Sequence, residues 1–159
     1  MKLSLLIYKA GQVFGGKNPF ENSGRDIING LMSGLTEYTA VTLGGREGPS
    51  NPNYRVGVFT NDTHYSGGFH DSGFSAAFQD RSNQVRHFTF YLGAGWGIGS
   101  TLANRGLYSA EGTNNPQVPD VGLGLVGTDL GSRFNGNYKQ LAQDVWHRVC
   151  GQSSNLNLP

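Results

Sequence analysis

The sequence predicts a mainly α-helical fold: a compact, single-domain bundle of about four helices, two with glycine-rich close-packing faces, plus long polar loops and a small two-stranded β element. Three observations predict it. Apolar residues recur at helical spacing over Gln79 to Ala103 and over two downstream segments, glycines sit three or four apart on two of these segments, and the intervening stretches are rich in Asn, Gly and Pro. A length of 159 residues suits one domain over 1–159, with 1–22 and 152–159 as loosely held ends.

In chain order, Leu3 to Tyr8 is an apolar run too short for periodicity to separate a strand from the first turn of a helix. It begins like a signal peptide, but Lys9 cuts the apolar run short of the usual 7 to 15 or so residues. An exported chain would therefore have lost its leader already or use another route. Ser23 and Asp26 have the spacing of a capping box, and Ile27, Ile28, Leu31, Leu35 and Tyr38 follow at helical spacing, so a helix is expected over 24–43. Gly44 and Gly45 stop it. Tyr54 to Thr60 alternates like a strand, and Leu3 to Tyr8 is the one segment available to pair with it; otherwise neither is a strand.

The stretch from Gln79 to Ala103 reads as one continuous helix. Val85, Phe88, Leu92, Trp96 and Gly99 form its apolar stripe. From Phe88 to Ala103 it carries no charge, and Gly95, Gly99 and Ala103 are spaced by four, the pattern that lets two backbones approach closely. The run is shorter than the roughly 18 to 20 apolar residues of a membrane span. Four alternating glycines weaken it as a helix, most simply near Gly93 or Gly95. Residues 106–119 read as irregular, and Asp120 as the cap of a second glycine-faced helix with Gly124, Gly127 and Gly131, which is expected to pack on the first. Asn137 with Gln140 caps the clearest amphipathic helix, Tyr138 to Val149, on whose outer face Asp144 and Arg148 are four apart.

Composition narrows the function classes. A net charge of +1 provides no global field for nucleic acid, and none is expected as a partner. Only 14% of residues are charged, against roughly a quarter in typical domains, while there are 25 glycines. The surface must be largely Asn, Gln, Ser, Thr and Gly, which favours a secreted or cell-surface setting. Cys150 is the single cysteine, so no intramolecular disulfide forms, and it reads as a small buried hydrophobe. Asn61-Asp62-Thr63 is a glycosylation acceptor sequence, meaningful in a secreted eukaryotic protein.

No phosphate-binding loop, H-E-x-x-H or G-x-S-x-G motif occurs, and Gly93, Gly95, Gly97 and Gly99 lack the dinucleotide spacing, so no cofactor is expected. What remains is a polar stripe on the central helix: Asp80, Gln84, His87 and Tyr91, spaced by four, three and four. Here Asp80 could orient His87 as a general base, with Gln84 and Tyr91 in support and Arg86 nearby to hold an anion. A glycosidase would need a second carboxylate, for which Asp71, Glu111 and Asp129 are candidates. The competing reading makes Gln84 and His87 buried polar groups that tie loops to the helix. His64, His70 and Asp71 are weak metal-ligand candidates lacking a third ligand on a fixed element.

Three functions follow as expectations. The first is a noncatalytic module, extracellular or surface-associated, that binds a protein or glycan through Asn/Gly/aromatic loops, chiefly 46–70 and 106–119. The second is a small hydrolase or toxin-like effector using His87, Asp80 and Arg86. The third is self-assembly into homo-oligomers through the glycine-faced helices.

Overall fold

In the computed structural model, which describes residues 3–14, 27, 28, 31, 74–79 and 84–158, the N-terminal segment is a helix and not a strand. This helix, α1 (Leu3–Phe14), buries Leu3, Leu6, Ile7 and Ala10, whose spacing of three, one and three is that of a helix face. Lys9, which had closed the apolar run, is exposed on the opposite side. The two-stranded element therefore falls: one of its strands is α1, Tyr54 to Thr60 lies outside the described residues, and no strand occurs among the described ones. Of the helix expected over 24–43, Ile27, Ile28 and Leu31 are described; all three are helical and at most 1% exposed.

Besides α1 and the helical positions Ile27, Ile28 and Leu31, the described residues hold four further α-helices, against about four expected in all. A 3-10 turn at Ala76–Phe78 precedes α2 (Gln84–Ile98), α3 (Ser100–Glu111), α4 (Pro119–Arg133) and α5 (Tyr138–Arg148). The continuous rod from Gln79 to Ala103 does not exist. Gln79 is extended (φ −86°, ψ 115°), and the chain breaks at Gly99 (φ 79°, ψ 156°), a backbone region essentially reserved for glycine. Backbone bonds from Gly99 to Gly95 (3.0 Å) and from Ala103 to Gly99 (3.1 Å) run up to and away from the break. The break falls after Tyr91, so Gln84, His87 and Tyr91 stay on one helix. Residues 106–111, expected to be irregular, are the last turns of α3, and the connection shrinks to 112–118.

The glycine faces do meet. A Cβ on Gly127 would lie 2.9 Å from the Phe88 carbonyl oxygen, and one on Gly131 would strike Leu92 and lie 2.8 Å from the Trp96 nitrogen. Gly95 is pressed on the Thr128 backbone in return. The face that α2 presents is thus Phe88, Leu92, Gly95 and Trp96. Gly99 is the break and touches nothing within 4 Å at its Cβ position. This α2–α4 contact centres a core that takes in Leu6, Ile28, Phe88, Leu92, Leu123 and Val145. The α1 helix joins it by packing on α5, where Gly11 lies under the Tyr138 ring and the rings of Tyr8 and Tyr138 are 5.7 Å apart. Residues 152–158 fold back on α5: Trp146 donates to the Ser154 carbonyl (2.9 Å) and the Leu156 amide to Gln143 (3.0 Å). No helix among the described residues is long and apolar enough to cross a membrane.

Local chemistry sets the ends of α4 and α5. Asn137 caps α5 by accepting from the Gln140 amide at 3.1 Å, as its spacing predicts. At α4 the cap is Val118 with Pro119 in the first turn, and Asp120 lies inside that turn making no capping bond. The Asp144–Arg148 pair also fails to form. Arg148 reaches Asp129 on α4 (2.5 Å), which Arg133 also binds (2.6 Å), while Asp144 accepts from Gln140 (2.8 Å).

Candidate functional site

The polar stripe on α2 faces the ends of two other helices. His87 Nε2 lies 2.8 Å from the backbone carbonyl of Asp120. A carbonyl can only accept, so Nε2 carries a hydrogen, and in the neutral ring the remaining lone pair is on Nδ1. Gln84, 1% exposed, donates from Nε2 to the Phe78 carbonyl at 2.8 Å. Both side chains thus tie neighbouring backbone to α2, the 3-10 turn through Gln84 and the start of α4 through His87. Tyr91 packs one turn on from His87, with ring centroids 4.9 Å apart. Burial, reinforced by the negative charges of Glu111 and Asp120, pushes its phenol up to about 12, so it stays protonated at neutral pH.

Two carboxylates that sequence spacing left unconnected complete this cluster. Glu111 closes α3, Asp120 opens α4, and one oxygen of each lies within 4.8 Å of the other and of a His87 ring nitrogen. Both residues are half-buried, and the Oδ1 of Asp120 is buried without a hydrogen-bond partner. Among the described residues neither carboxylate has an ion-pair partner. Arg86 is half-buried on another side of α2 and pairs with neither of them. Asp80, His64, His70 and Asp71 lie outside the described residues. Of the candidate second carboxylates, Glu111 reaches His87, whereas Asp129 is held by Arg133 and Arg148. His147 is half-buried: Nδ1 donates to the Gln152 carbonyl (2.5 Å) and Nε2 accepts from Gln143 (2.5 Å).

A second feature lies between α4 and α5, where sequence reading saw only a cap. Arg133, Phe134, Asn135, Asn137, Gln140 and Asp144 line an open groove of about 340 Å³, with the buried Leu130 and Leu141 at its base. Gly136, at φ 95°, turns the chain between the two helices. The amides here are held in place by one end each. Asn135 Oδ1 accepts from the Asn137 amide (3.1 Å), Asn137 Oδ1 from the Gln140 amide (3.1 Å), and Gln140 Nε2 donates to Asp144 (2.8 Å). A backbone N–H can only donate, which fixes both asparagine orientations. The Nδ2 groups of Asn135 and Asn137 and the Oε1 of Gln140 are left without partners among the described residues. The alternation Phe134-Asn135-Gly136-Asn137 is the signal that could have found this groove. No known protein family, curated protein or solved structure matches the chain.

Proposed function

We propose that the chain is a noncatalytic binding module that recognises a hydroxyl-rich ligand, a glycan in the first place, in the groove between α4 and α5. One observation carries the reading: pre-oriented amide groups around the groove have open donors at Asn135 and Asn137 and an open acceptor at Gln140, beside the Phe134 ring. Fixed polar groups over an apolar base are what a small-ligand site uses to set orientation. Three or four hydrogen bonds at about 1 kcal/mol each give roughly millimolar affinity for a single sugar unit. The abundance of Asn and Gly on a weakly charged chain fits an extracellular or surface setting.

Calorimetric titration with a panel of neutral oligosaccharides tests it. One member is expected to bind, Gln140→Ala and Phe134→Ala should each weaken it several-fold, and the bound sugar should be recovered uncleaved. A panel without any binder refutes the glycan reading, and a peptide that binds the same groove would move the proposal to protein recognition.

A second reading, a small hydrolase with His87 as general base, draws support from Glu111 and Asp120 beside the ring. It requires Nδ1, since Nε2 is occupied as a donor. Loss of hydrolytic activity in His87→Gln with an unchanged unfolding midpoint would favour it. Self-assembly through glycine faces has less to rest on, because Gly127 and Gly131 are covered within the chain.

A further inference from the structure

We infer that His87, Glu111 and Asp120 form a binding site for a divalent transition-metal cation, clamping α2, α3 and α4 together. The inference is independent of the groove. The three donors come from three helices and are 24 and 9 residues apart in sequence, so no local motif placed them; the packing of α3 and α4 on α2 did. Their ligand atoms all lie within 4.8 Å of one another. For a triangle with sides no longer than 4.8 Å, some point is within about 2.8 Å of every corner. Bonds from zinc to imidazole nitrogen or carboxylate oxygen are about 2.0 to 2.2 Å, so each side chain needs to close by only about 0.7 Å, within the reach of a small rotamer adjustment.

The charge balance points to a cation. Two half-buried carboxylates sit side by side without a lysine or arginine partner among the described residues. Like charges this close destabilise one another unless a positive species intervenes. The negative end of α3 converges on the same point as Glu111 and adds to the problem, while the first turn of α4 offsets only part of it, near Asp120. Asp120 Oδ1 is buried and accepts from nothing among the described residues, so this carboxylate has an unused acceptor that a cation would satisfy. On the imidazole, the bond from Nε2 to the Asp120 carbonyl fixes the ring, so Nδ1 is the nitrogen that would have to bind the ion.

The donor set selects the class of ion. One imidazole nitrogen with two carboxylate oxygens and no thiolate suits zinc and its first-row neighbours better than magnesium or calcium, which favour all-oxygen cages. Three protein donors leave at least one position for water or an external ligand.

The test uses the full chain, freed of metal by a chelator, and Zn²⁺ alone as probe. Calorimetry should find one equivalent per chain, and the urea midpoint should rise on adding the ion. Glu111→Gln and Asp120→Asn should each weaken binding at least tenfold. Without ion, each should unfold at the wild-type midpoint or above it, since one of two repelling charges is gone. Should Asp120→Asn fail to fold, Glu111→Gln carries the test. The inference is overturned if no stoichiometric equivalent binds, if Glu111→Gln binds as the wild type does, or if a His64→Asn/His70→Asn variant loses the binding instead.

Discussion

Gly131 and Gly106 are both helical, and replacing each by alanine should move stability in opposite directions. A Cβ on Gly131 would strike the Leu92 carbonyl and lie 2.8 Å from the Trp96 nitrogen, whereas one on Gly106 would have nothing within 4 Å. Ordinary contact begins at 3.4 Å, so the contact with Trp96 alone requires α2 and α4 to part by about 0.6 Å. The obstruction is backbone, which cannot rotate away. Parting also loosens Phe88, Leu92 and Leu123, each at most 1% exposed. Overpacking of this kind costs about 1 to 3 kcal/mol, and a backbone clash belongs at or above the upper end. The gain in helix propensity returns about 1 kcal/mol, leaving Gly131→Ala roughly 2 kcal/mol less stable. Gly106→Ala keeps only the gain, about 0.5 to 1 kcal/mol. For a chain of this size the melting temperature should fall by about 4 to 8 °C in the first variant and rise by about 1 to 4 °C in the second. Thermal and urea unfolding followed by far-ultraviolet circular dichroism give the melting-temperature and free-energy shifts. Equal shifts of the same sign would refute the close backbone packing of α2 on α4.

Three further outcomes follow from single contacts. Asn137→Ala removes the α5 cap and should lower unfolding free energy by about 1 kcal/mol in urea titration; an unchanged midpoint would refute the cap. His87→Ala leaves the Asp120 carbonyl without its donor and should cost about 1 to 3 kcal/mol, read from the same titration, whereas an unaltered curve would mean that the tie contributes nothing. At Asp129, burial raises the carboxyl but hydrogen bonds and charge from Arg148 and Arg133 outweigh it and hold the group below its ordinary value. The folded value being the lower one, this contribution is complete above about pH 4 and disappears as the pH falls through the folded value. Asp129 is 42% exposed, so solvent screening limits the term to roughly 1 kcal/mol or less. Asp129→Asn should therefore unfold with a shallower acid dependence below pH 4 and wild-type dependence between pH 5 and 7; an identical acid profile would contradict the pairing.

Legibility in the sequence followed the range of the interactions. The α5 helix and its Asn137 cap were readable because every contact that defines them lies within one or two turns. The pairing of two glycine-faced helices was readable too, since only small residues permit that approach. The break at Gly99 was not, because Gly93, Gly95, Gly97 and Gly99 weaken a helix equally and only the fold decides which one takes a positive φ. The N-terminal segment stayed open between strand and helix because the window closed at Lys9, one residue before Ala10 completed the helical face. At the polar cluster, helical spacing correctly put Gln84, His87 and Tyr91 on one side of α2, but the carboxylates that meet His87 arrive from α3 and α4. The same holds for Arg148, whose nearest acid in sequence is Asp144 and whose partner in space is Asp129.

The groove between α4 and α5 is tested most directly by a map of backbone amide shifts during titration with a neutral oligosaccharide that binds. The account predicts that the perturbed amides cluster on Arg133 to Asn137, Gln140 and Asp144. Perturbation centred on His87, Glu111 and Asp120, with the groove silent, would contradict it.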